Sequence, residues 1–405
     1  MNKNKTSQVR NILFYGDFDC TTGFGNVSKE LISYFSKMPR VFITVFALNN
    51  HKKEPYNFSD NVYVIPALQT RDEGDIDVYA RKSLLRLLYG GNYDLFFCIN
   101  DVEVINAMDK HLRNVRNTRK RENKKTFKSI IYFPIDSEPR KSDLKVLNFF
   151  DECVNYTEYA KGVVKNLTGK SYRAIPHGAN FEDFYKKDVT KLKKKLFGDK
   201  FVFGSVNRNS MRKDFGTLLM AYAQFESKDK SVLYLHCNPK DPFGIDMYRL
   251  CERLNLEVGK DVMFPEKFNE NQGYTVEELN DLYNCFDVSI TTTTAEGFGL
   301  SITESMATET LLVCPLHTSI NEITNYGKNV IGLDDFEPLV FQKDFEKIRY
   351  KSKVIDVLLA MYNAYGIDAE LRMQKIKDAK DFISLKYQWE KSAKSFMTLI
   401  KKQLS

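Results

Sequence analysis

Thr294-Ala-Glu-Gly-Phe-Gly-Leu-Ser-Ile-Thr-Glu304-Ser-Met-Ala307 is the stretch on which the fold reading turns. Asp287-Val-Ser-Ile290 just before it reads as a short buried strand, and from Leu300 the apolar spacing at Ile302 and Met306 is helical, so Gly297-Phe298-Gly299 falls on a strand-to-helix turn. Such a turn presents backbone N–H groups and the positive end of a helix dipole, which suits a phosphate. Glycine at 297 and 299 lets a ligand approach the backbone with no Cβ in the way. Glu296 precedes the turn and Glu304 follows it by about one helical turn. Carboxylates so placed serve the hydroxyls of a sugar or ribose, not the anion. The plain structural alternative is a helix N-terminus with glycine for packing and glutamate for the dipole.

The same strand-and-helix unit recurs along the chain. Upstream, β-branched and aromatic runs at 11–15, 41–46, 62–65, 95–99, 130–133 and 153–155 alternate with helix-length segments, and a second series at 201–206, 232–236, 262–264, 288–290 and 311–314 repeats the pattern. Continuous apolar strands separated by helices predict parallel sheets covered on both faces. At 405 residues the chain is too long for one ordinary core. It is expected to form two doubly wound, Rossmann-like α/β domains facing each other across a cleft, with ligands at the carboxyl ends of the strands. The join falls between Ile175-Pro-His-Gly178 and Lys200, where residues 187–195 are lysine-rich and His177 reads as a linker residue. The resulting division is a first domain over 1–185, a second over 186–385, and a C-terminal helix from about 386 to 405 packing back on the first. The single tryptophan, Trp389, reads as a packing anchor of that helix.

Composition narrows the class. With 43% hydrophobic and 28% charged residues the chain matches ordinary globular proteins. No run approaches the roughly 20 apolar residues of a membrane span, and the polar start Met1-Asn-Lys-Asn-Lys-Thr-Ser lacks an apolar signal core. Seven cysteines are scattered at 20, 98, 153, 237, 251, 285 and 314 with no C-x-x-C pair. That pattern speaks for reduced thiols in a cytoplasmic setting and against a disulfide frame or zinc site. A net charge of +7 permits an anionic ligand without demanding one.

Two further loops carry chemistry. After the first strand, Gly16-Asp-Phe-Asp-Cys-Thr-Thr-Gly23-Phe24-Gly25 is a glycine turn opening a helix. Its spacing is not the G-x-G-x-x-G of a dinucleotide fold, and no acidic residue closes the next strand, so a nicotinamide cofactor is not expected. A loop close to a phosphate or sugar fits it better. Asp17 and Asp19 have the form of a D-x-D metal motif, but the pair is too common to indicate a metal. At the start of the second series, Gly204-Ser-Val-Asn-Arg208-Asn-Ser-Met-Arg212-Lys213-Asp-Phe215 sets three cations between a strand end and a helix expected over 215–226. Arg208 and Lys213 are the candidates to neutralise a diphosphate, each charge-assisted contact being worth roughly 1.5–3 kcal/mol.

Together these segments resemble the retaining glycosyltransferases of the GT-B architecture, family 4 in particular. Glu296-Gly-Phe-Gly-Leu-Ser-Ile-Thr-Glu304 matches that family's E-x7-E motif, and Asn207-Arg208 with Lys213 matches its G-R-(x)n-K element. Ile175-Pro-His-Gly178 matches its I-P-N-G linker, Val154 to Ala160 its V-S-x-x-A strand end, and Trp389-Glu390 the W-E pair of its C-terminal helices. The resemblance covers most of residues 10–395 and is strongest over 201–323. It implies a UDP- or GDP-linked sugar as co-substrate, no further cofactor, no metal, and retention of anomeric configuration. By the same resemblance, Arg208 and Lys213 bind the donor diphosphate with the backbone of Gly297, Phe298, Gly299 and Leu300. Glu296 faces the donor sugar, Glu304 the ribose, and residues 264–268, from Phe264 to Phe268, the nucleobase. Gly23, Phe24 and Gly25 lie near phosphate and acceptor, and Asp136 stands where many members place a sugar-positioning histidine. Family glycines are replaced by Glu309 and Thr318, which is expected to make the backbone there less approachable and to reshape the sugar pocket.

Between Lys110 and Lys128 the sequence holds nine Lys or Arg and one acid, Glu122. A solvated basic helix is the plain explanation; a nucleic-acid backbone or an anionic surface is the functional one. The expected function is a metal-independent, retaining hexosyltransferase moving a sugar from a nucleotide-diphosphate sugar to an acceptor that is a glycan, lipid, protein or modified DNA base. The rivals are a GT-B-shaped nucleotide-sugar epimerase or hydrolase, and a non-catalytic binding protein of the same fold.

Overall fold

The apolar runs build two separate sheets in the computed structural model, which describes residues 9–67, 70–72, 75–266, 274–342 and 344–405. The chain forms two units. One takes the residues up to Ile135, Pro139–His177 and Trp389–Ser405; the other takes Asp136–Glu138 and Gly178–Gln388.

The first unit holds β1 (Arg10–Asp17), β2 (Val41–Leu48), β3 (Tyr56–Ser59), β4 (Val62–Pro66), β5 (Thr70–Asp72), β6 (Asp75–Asp77), β7 (Leu95–Ile99), β8 (Lys128–Phe133), β9 (Glu152–Asn155) and β10 (Arg173–Ala174). Eight of them form one sheet in the order β10-β9-β8-β7-β1-β2-β4-β3, and β5 and β6 pair in a small ribbon. All neighbours in the large sheet run parallel except β3 and β4. β7 is buried along its whole length, as a strand with both faces covered must be. The C-terminal helix Trp389–Leu404 packs in this unit, Phe396 meeting Phe35, Phe97 and Tyr132 at ring separations of 6.2, 5.8 and 4.7 Å. Trp389 stacks on His177 at 5.9 Å, and His177 shares a 2.8 Å hydrogen bond with the Tyr132 hydroxyl. Burial pushes the imidazole of His177 down to about 3, which keeps it neutral within this aromatic cluster.

The second unit holds β11 (Phe201–Val206), β12 (Ser231–His236), β13 (Val262–Met263), β14 (Val288–Ile290), β15 (Leu311–Pro315) and β16 (Ile331–Leu333), all parallel, in the order β13-β12-β11-β14-β15-β16. Its core collects Phe203, Leu218, Tyr222, Phe225, Leu233 and Met361. A separate antiparallel ribbon, β17 (Phe336–Val340) and β18 (Ile348–Ser352), has no counterpart in the expected strand series. The helix expected over 215–226 runs Phe215–Ala223, its end tightened by N–H bonds from Gln224 to Ala221 and from Phe225 to Tyr222.

In both sheets the order reverses at the first strand. β1 lies between β2 and β7, and β11 between β12 and β14. The connections leaving such a pair diverge to opposite faces and open a crevice at the carboxyl ends, the usual ligand position in open α/β sheets.

Candidate active site

The pairing of Phe203 with Val288 and Gly204 with Ser289 sets the loop after β11 beside the loop after β14, at the reversal point of the second sheet. Four buried threonines, Thr291 to Thr294, lace the two together. The Thr294 N–H and hydroxyl both donate to the Arg212 carbonyl, at 2.8 and 3.0 Å, and the Thr292 hydroxyl donates to that of Asp214 at 2.9 Å. Fixed in this way, the short 3-10 turn Met211–Lys213 directs two cations at one carboxylate. Lys213 Nζ lies 2.5 Å and Arg212 Nη1 3.1 Å from the carboxylate of Glu296, whose side chain is 9% exposed.

Glu296 is held from behind as well. Its N–H donates to Thr318 Oγ1 at 3.2 Å, and the Ser319 hydroxyl donates to the carbonyls of Glu296 and Phe298 at 2.7 and 3.0 Å. Burial alone would raise this carboxyl, but Arg212 and Lys213 overcome it and bring it down to about 2. Gly299, with φ of +107°, opens helix Leu300–Ala307, and this conformation is one that a side chain would strain. Gly297 and Leu300 are half-buried. The Phe298 ring is buried against Tyr387 at 5.6 Å, so at this position only the backbone can serve a ligand. Farther along the helix, Glu304 accepts a 2.7 Å hydrogen bond from Tyr283, and burial pushes it up to about 7 despite Tyr283 and Lys213.

Arg208 is placed differently. Its guanidinium forms a two-pronged contact with the buried Asp241 at 2.8 and 3.3 Å and lies over Phe243 at 4.8 Å. The partner of Lys213 at Glu296 is therefore Arg212, because the 3-10 turn aims residues 212 and 213 together while a buried acid claims Arg208. Spacing could not reveal this, since Asp241 comes from the segment after β12.

Asp136 belongs to the second unit and sits among three cations. Lys347 Nζ is 3.2 Å from Oδ1, Arg349 Nη1 2.9 Å from Oδ2, and Arg212 Nε 3.9 Å from Oδ2. Burial opposes ionisation, yet these charges hold the carboxyl well below the usual range. Lys347 and Arg349 come from the end of the ribbon, whose strands carry no periodic apolar signal in the sequence. The Phe264 ring lies tilted against that of Tyr248 at 5.3 Å, while Lys267 and Phe268 of the expected nucleobase wall lie outside the described residues.

Glu309 and Thr318 have φ of +55° and +50°, the left-handed region that glycine favours. The backbone thus follows the path expected of the missing glycines. Thr318 also contributes the hydroxyl that accepts from the Glu296 N–H, a contact that glycine at this position could not make.

In the first unit, Gly23 opens helix Gly23–Phe35, Phe24 meets Tyr156 edge-on at 6.5 Å, and Gly25 donates to the Thr22 cap at 2.9 Å. A Cβ on Gly25 would come within 2.6 Å of the Cys20 carbonyl, so close approach requires glycine there. Asp17 accepts from Thr22 and Asn49 at 2.6 and 3.0 Å, and Asp19 from Tyr56 at 2.6 Å. The basic stretch is largely occupied internally. Arg119, 3% exposed, donates to the carbonyls of Leu88, Tyr89, Gly91 and Lys125. Arg116 reaches Phe149, Ser129 and Asp151; Arg113 pairs with Asp109, Lys125 with Asp94, and Lys124 with Glu122. Only Lys110, Lys120 and Arg121 of the stretch combine full exposure with no ion pair among the described contacts, so a nucleic-acid or anionic-surface role finds no continuous track here. Among the described residues no helix is long and apolar enough to cross a membrane.

No family model matches the sequence. An uncharacterised glycosyltransferase, number 335, of Sulfolobus islandicus rod-shaped virus 1 is 26% identical over 263 residues, covering 62% of this chain and 75% of that protein. Among solved structures, sucrose-phosphate synthase from Thermosynechococcus elongatus superposes with a TM-score of 0.71 at 15% identity, covering 97% of this chain and 98% of that one. Anabaena HepE in complex with UDP and glucose gives 0.67 at 15% identity, with 97% and 100% covered. The chain has the GT-B glycosyltransferase fold, built from two Rossmann-like units.

Proposed function

We propose that the protein is a retaining glycosyltransferase that takes its sugar from a UDP- or GDP-linked donor bound at the carboxyl edge of the second sheet. The observation that carries this is the meeting of Lys213, Arg212 and Glu296 beside the glycine turn that opens helix Leu300–Ala307. Cations and a helix N-terminus suit a diphosphate, and carboxylates suit sugar and ribose hydroxyls. In this reading Lys213 and Arg212 leave Glu296 partly for the donor phosphates, Glu296 faces the sugar, Glu304 takes the ribose hydroxyls, and Asp136 positions the far side of the sugar.

The reaction needs charge stabilised on the leaving diphosphate as the glycosidic bond breaks. Preorganised cations act most strongly on charge that develops during the step. The same two cations take the part a metal would otherwise play, so the proposal is metal-independent. Retention is assigned through front-face displacement, with the leaving phosphate accepting the acceptor's proton. The viral relative's name supports a glycosyltransferase, and the HepE complex with UDP and glucose supports a nucleotide-sugar donor. The E-x7-E match supports family 4, and the acceptor stays at the level of a hydroxyl-bearing molecule.

The test is donor turnover by Glu296→Gln and Lys213→Ala, with melting temperature followed beside it. Loss of one oxyanion-stabilising contact typically costs 10²–10³ in rate, and a fall of about that size is expected in both variants while they remain folded. Full activity in both would remove this site assignment.

A further inference from the structure

The ribbon β17–β18 is turned inside out for an element that merely covers a core. Its apolar residues Val340, Ile348 and Tyr350 are 57%, 55% and 46% exposed, whereas the arginine between the last two is 3% exposed. Register explains the geometry: Ile348 and Tyr350 share one face with their partners Val340 and Pro338, and Arg349 faces the other way. A buried guanidinium needs paired acids to offset its desolvation. Arg349 has two, a two-pronged contact with Asp344 at 2.6 and 2.9 Å and a single 2.9 Å bond to Asp136 Oδ2.

Asp136 lies on neither strand nor helix, so nothing regular in the backbone orients its carboxylate. Oδ1 receives Lys347 at 3.2 Å and the Ser137 hydroxyl at 3.3 Å; Oδ2 receives Arg349. Arg212, at 3.9 Å, attracts it without hydrogen bonding. A carboxylate has about four lone-pair positions, and these contacts leave one on Oδ2 for a hydroxyl. The ribbon is also tied to the loop carrying Glu296, through the Tyr350 N–H and the Thr294 carbonyl at 3.4 Å. Arg212 contacts both Asp136 and Glu296, so the two carboxylates form parts of one charge cluster. Four cations in that cluster face three carboxylates, and the surplus positive charge comes with Lys347 and Arg349.

We propose that the ribbon is a sugar-end element of the donor site, with Arg349, aimed by Asp344, acting as the positioning residue that presents Asp136 Oδ2 to a hydroxyl of the donor sugar. This rests on the donor-site reading given above. It assigns the ribbon to discrimination between a nucleotide sugar and the bare nucleotide, since Asp136 would meet only the sugar.

The experiment is a double-mutant cycle on the full chain, with Asp136→Asn, Arg349→Gln and the pair, titrated calorimetrically with UDP-glucose and with UDP. Arg349→Gln is expected to weaken UDP-glucose about tenfold and UDP less than about twofold, with Arg349→Lys recovering part of the loss. In the Asp136→Asn background, Arg349→Gln is expected to add less than about twofold, because its effect runs through Asp136. Equal losses for UDP and UDP-glucose, or full additivity on Asp136→Asn, would overturn the proposal. If Arg349→Gln does not fold, Asp344→Asn keeps the cation and loosens its aim; about a threefold loss confined to UDP-glucose is then expected, and no selective loss rejects the idea. If wild type does not bind UDP-glucose, the cycle is run with a GDP-sugar and GDP; a wild-type protein that binds no UDP- or GDP-sugar refutes the donor-site reading itself, whereas normal binding with no selectivity change in the variants refutes only the role of Arg349.

Discussion

Glu296 and Glu304 flank one short turn and are driven in opposite directions. Both are desolvated, but Glu296 meets two cations and falls to about 2, while Glu304 meets a tyrosine hydroxyl and rises to about 7. The signs for stability therefore differ. Glu296, depressed in the folded state, stabilises above its ordinary value of 4.5, and that contribution is lost as pH falls from there towards 2. Glu304, raised in the folded state, contributes stability below 4.5 that is lost as pH rises towards 7. At one pKa unit per 1.36 kcal/mol, Glu304→Gln is expected to stabilise the ligand-free protein by about 3 kcal/mol at pH 8 and by little near pH 4. Denaturant unfolding across that range measures it, and a gain independent of pH would contradict the assignment. Hydroxyl donors from a ribose would favour the ionised form, so nucleotide binding near pH 7 should release protons, readable by calorimetry in buffers of different ionisation enthalpy.

At the scale of elements, the strands were legible and the side-chain traffic between them was not. Runs such as 95–99 and 201–206 coincide with β7 and β11, because strands inside a covered parallel sheet are mostly apolar. The ribbon is not legible in the sequence because its two strands bury no common apolar face; Pro338, Glu337 and exposed Ile348 give no alternating signal. Arg208 and Arg212 read alike for the same kind of reason: both are basic residues of one loop, and only the fold shows that Arg208 pairs with Asp241 and Arg212 with Glu296. Helix Asp109–Arg121 makes the point in the first unit, where a run of charge conceals a buried structural arginine. Arg119→Ala strands four carbonyl groups and is expected to cost about 3 kcal/mol, whereas alanine at exposed Lys110, Lys120 or Arg121 should stay within about 0.5 kcal/mol. Urea unfolding of the four variants separates the two roles; equal, small effects would mean that Arg119 is solvated like its neighbours.

For the whole molecule, the doubly wound plan explains why so little sequence identity accompanies so much structural likeness. A parallel sheet asks for apolar strands and short turns, which many sequences supply, while the chemistry rests on a few residues at the reversal point of strand order. At that point of the second unit lie Arg212, Lys213 and Glu296 with the glycine turn after it; the stretch 294–307 supplies Glu296 and the turn, and the loop after β11 supplies Arg212 and Lys213. The central claim is that this edge of the second sheet binds the diphosphate of a nucleotide sugar. Its most direct test is a thermal-shift titration of wild type and Lys213→Ala with UDP-glucose and a panel of UDP- and GDP-sugars, each shift read against that variant's own ligand-free melting point. A ligand at about 100 times its dissociation constant stabilises by roughly 2.7 kcal/mol. Wild type is expected to show such a shift with at least one nucleotide sugar, and Lys213→Ala an affinity lower by about tenfold or more, as the loss of a charge-assisted phosphate contact requires. No shift with any nucleotide sugar, or equal shifts in both proteins, would contradict the central claim.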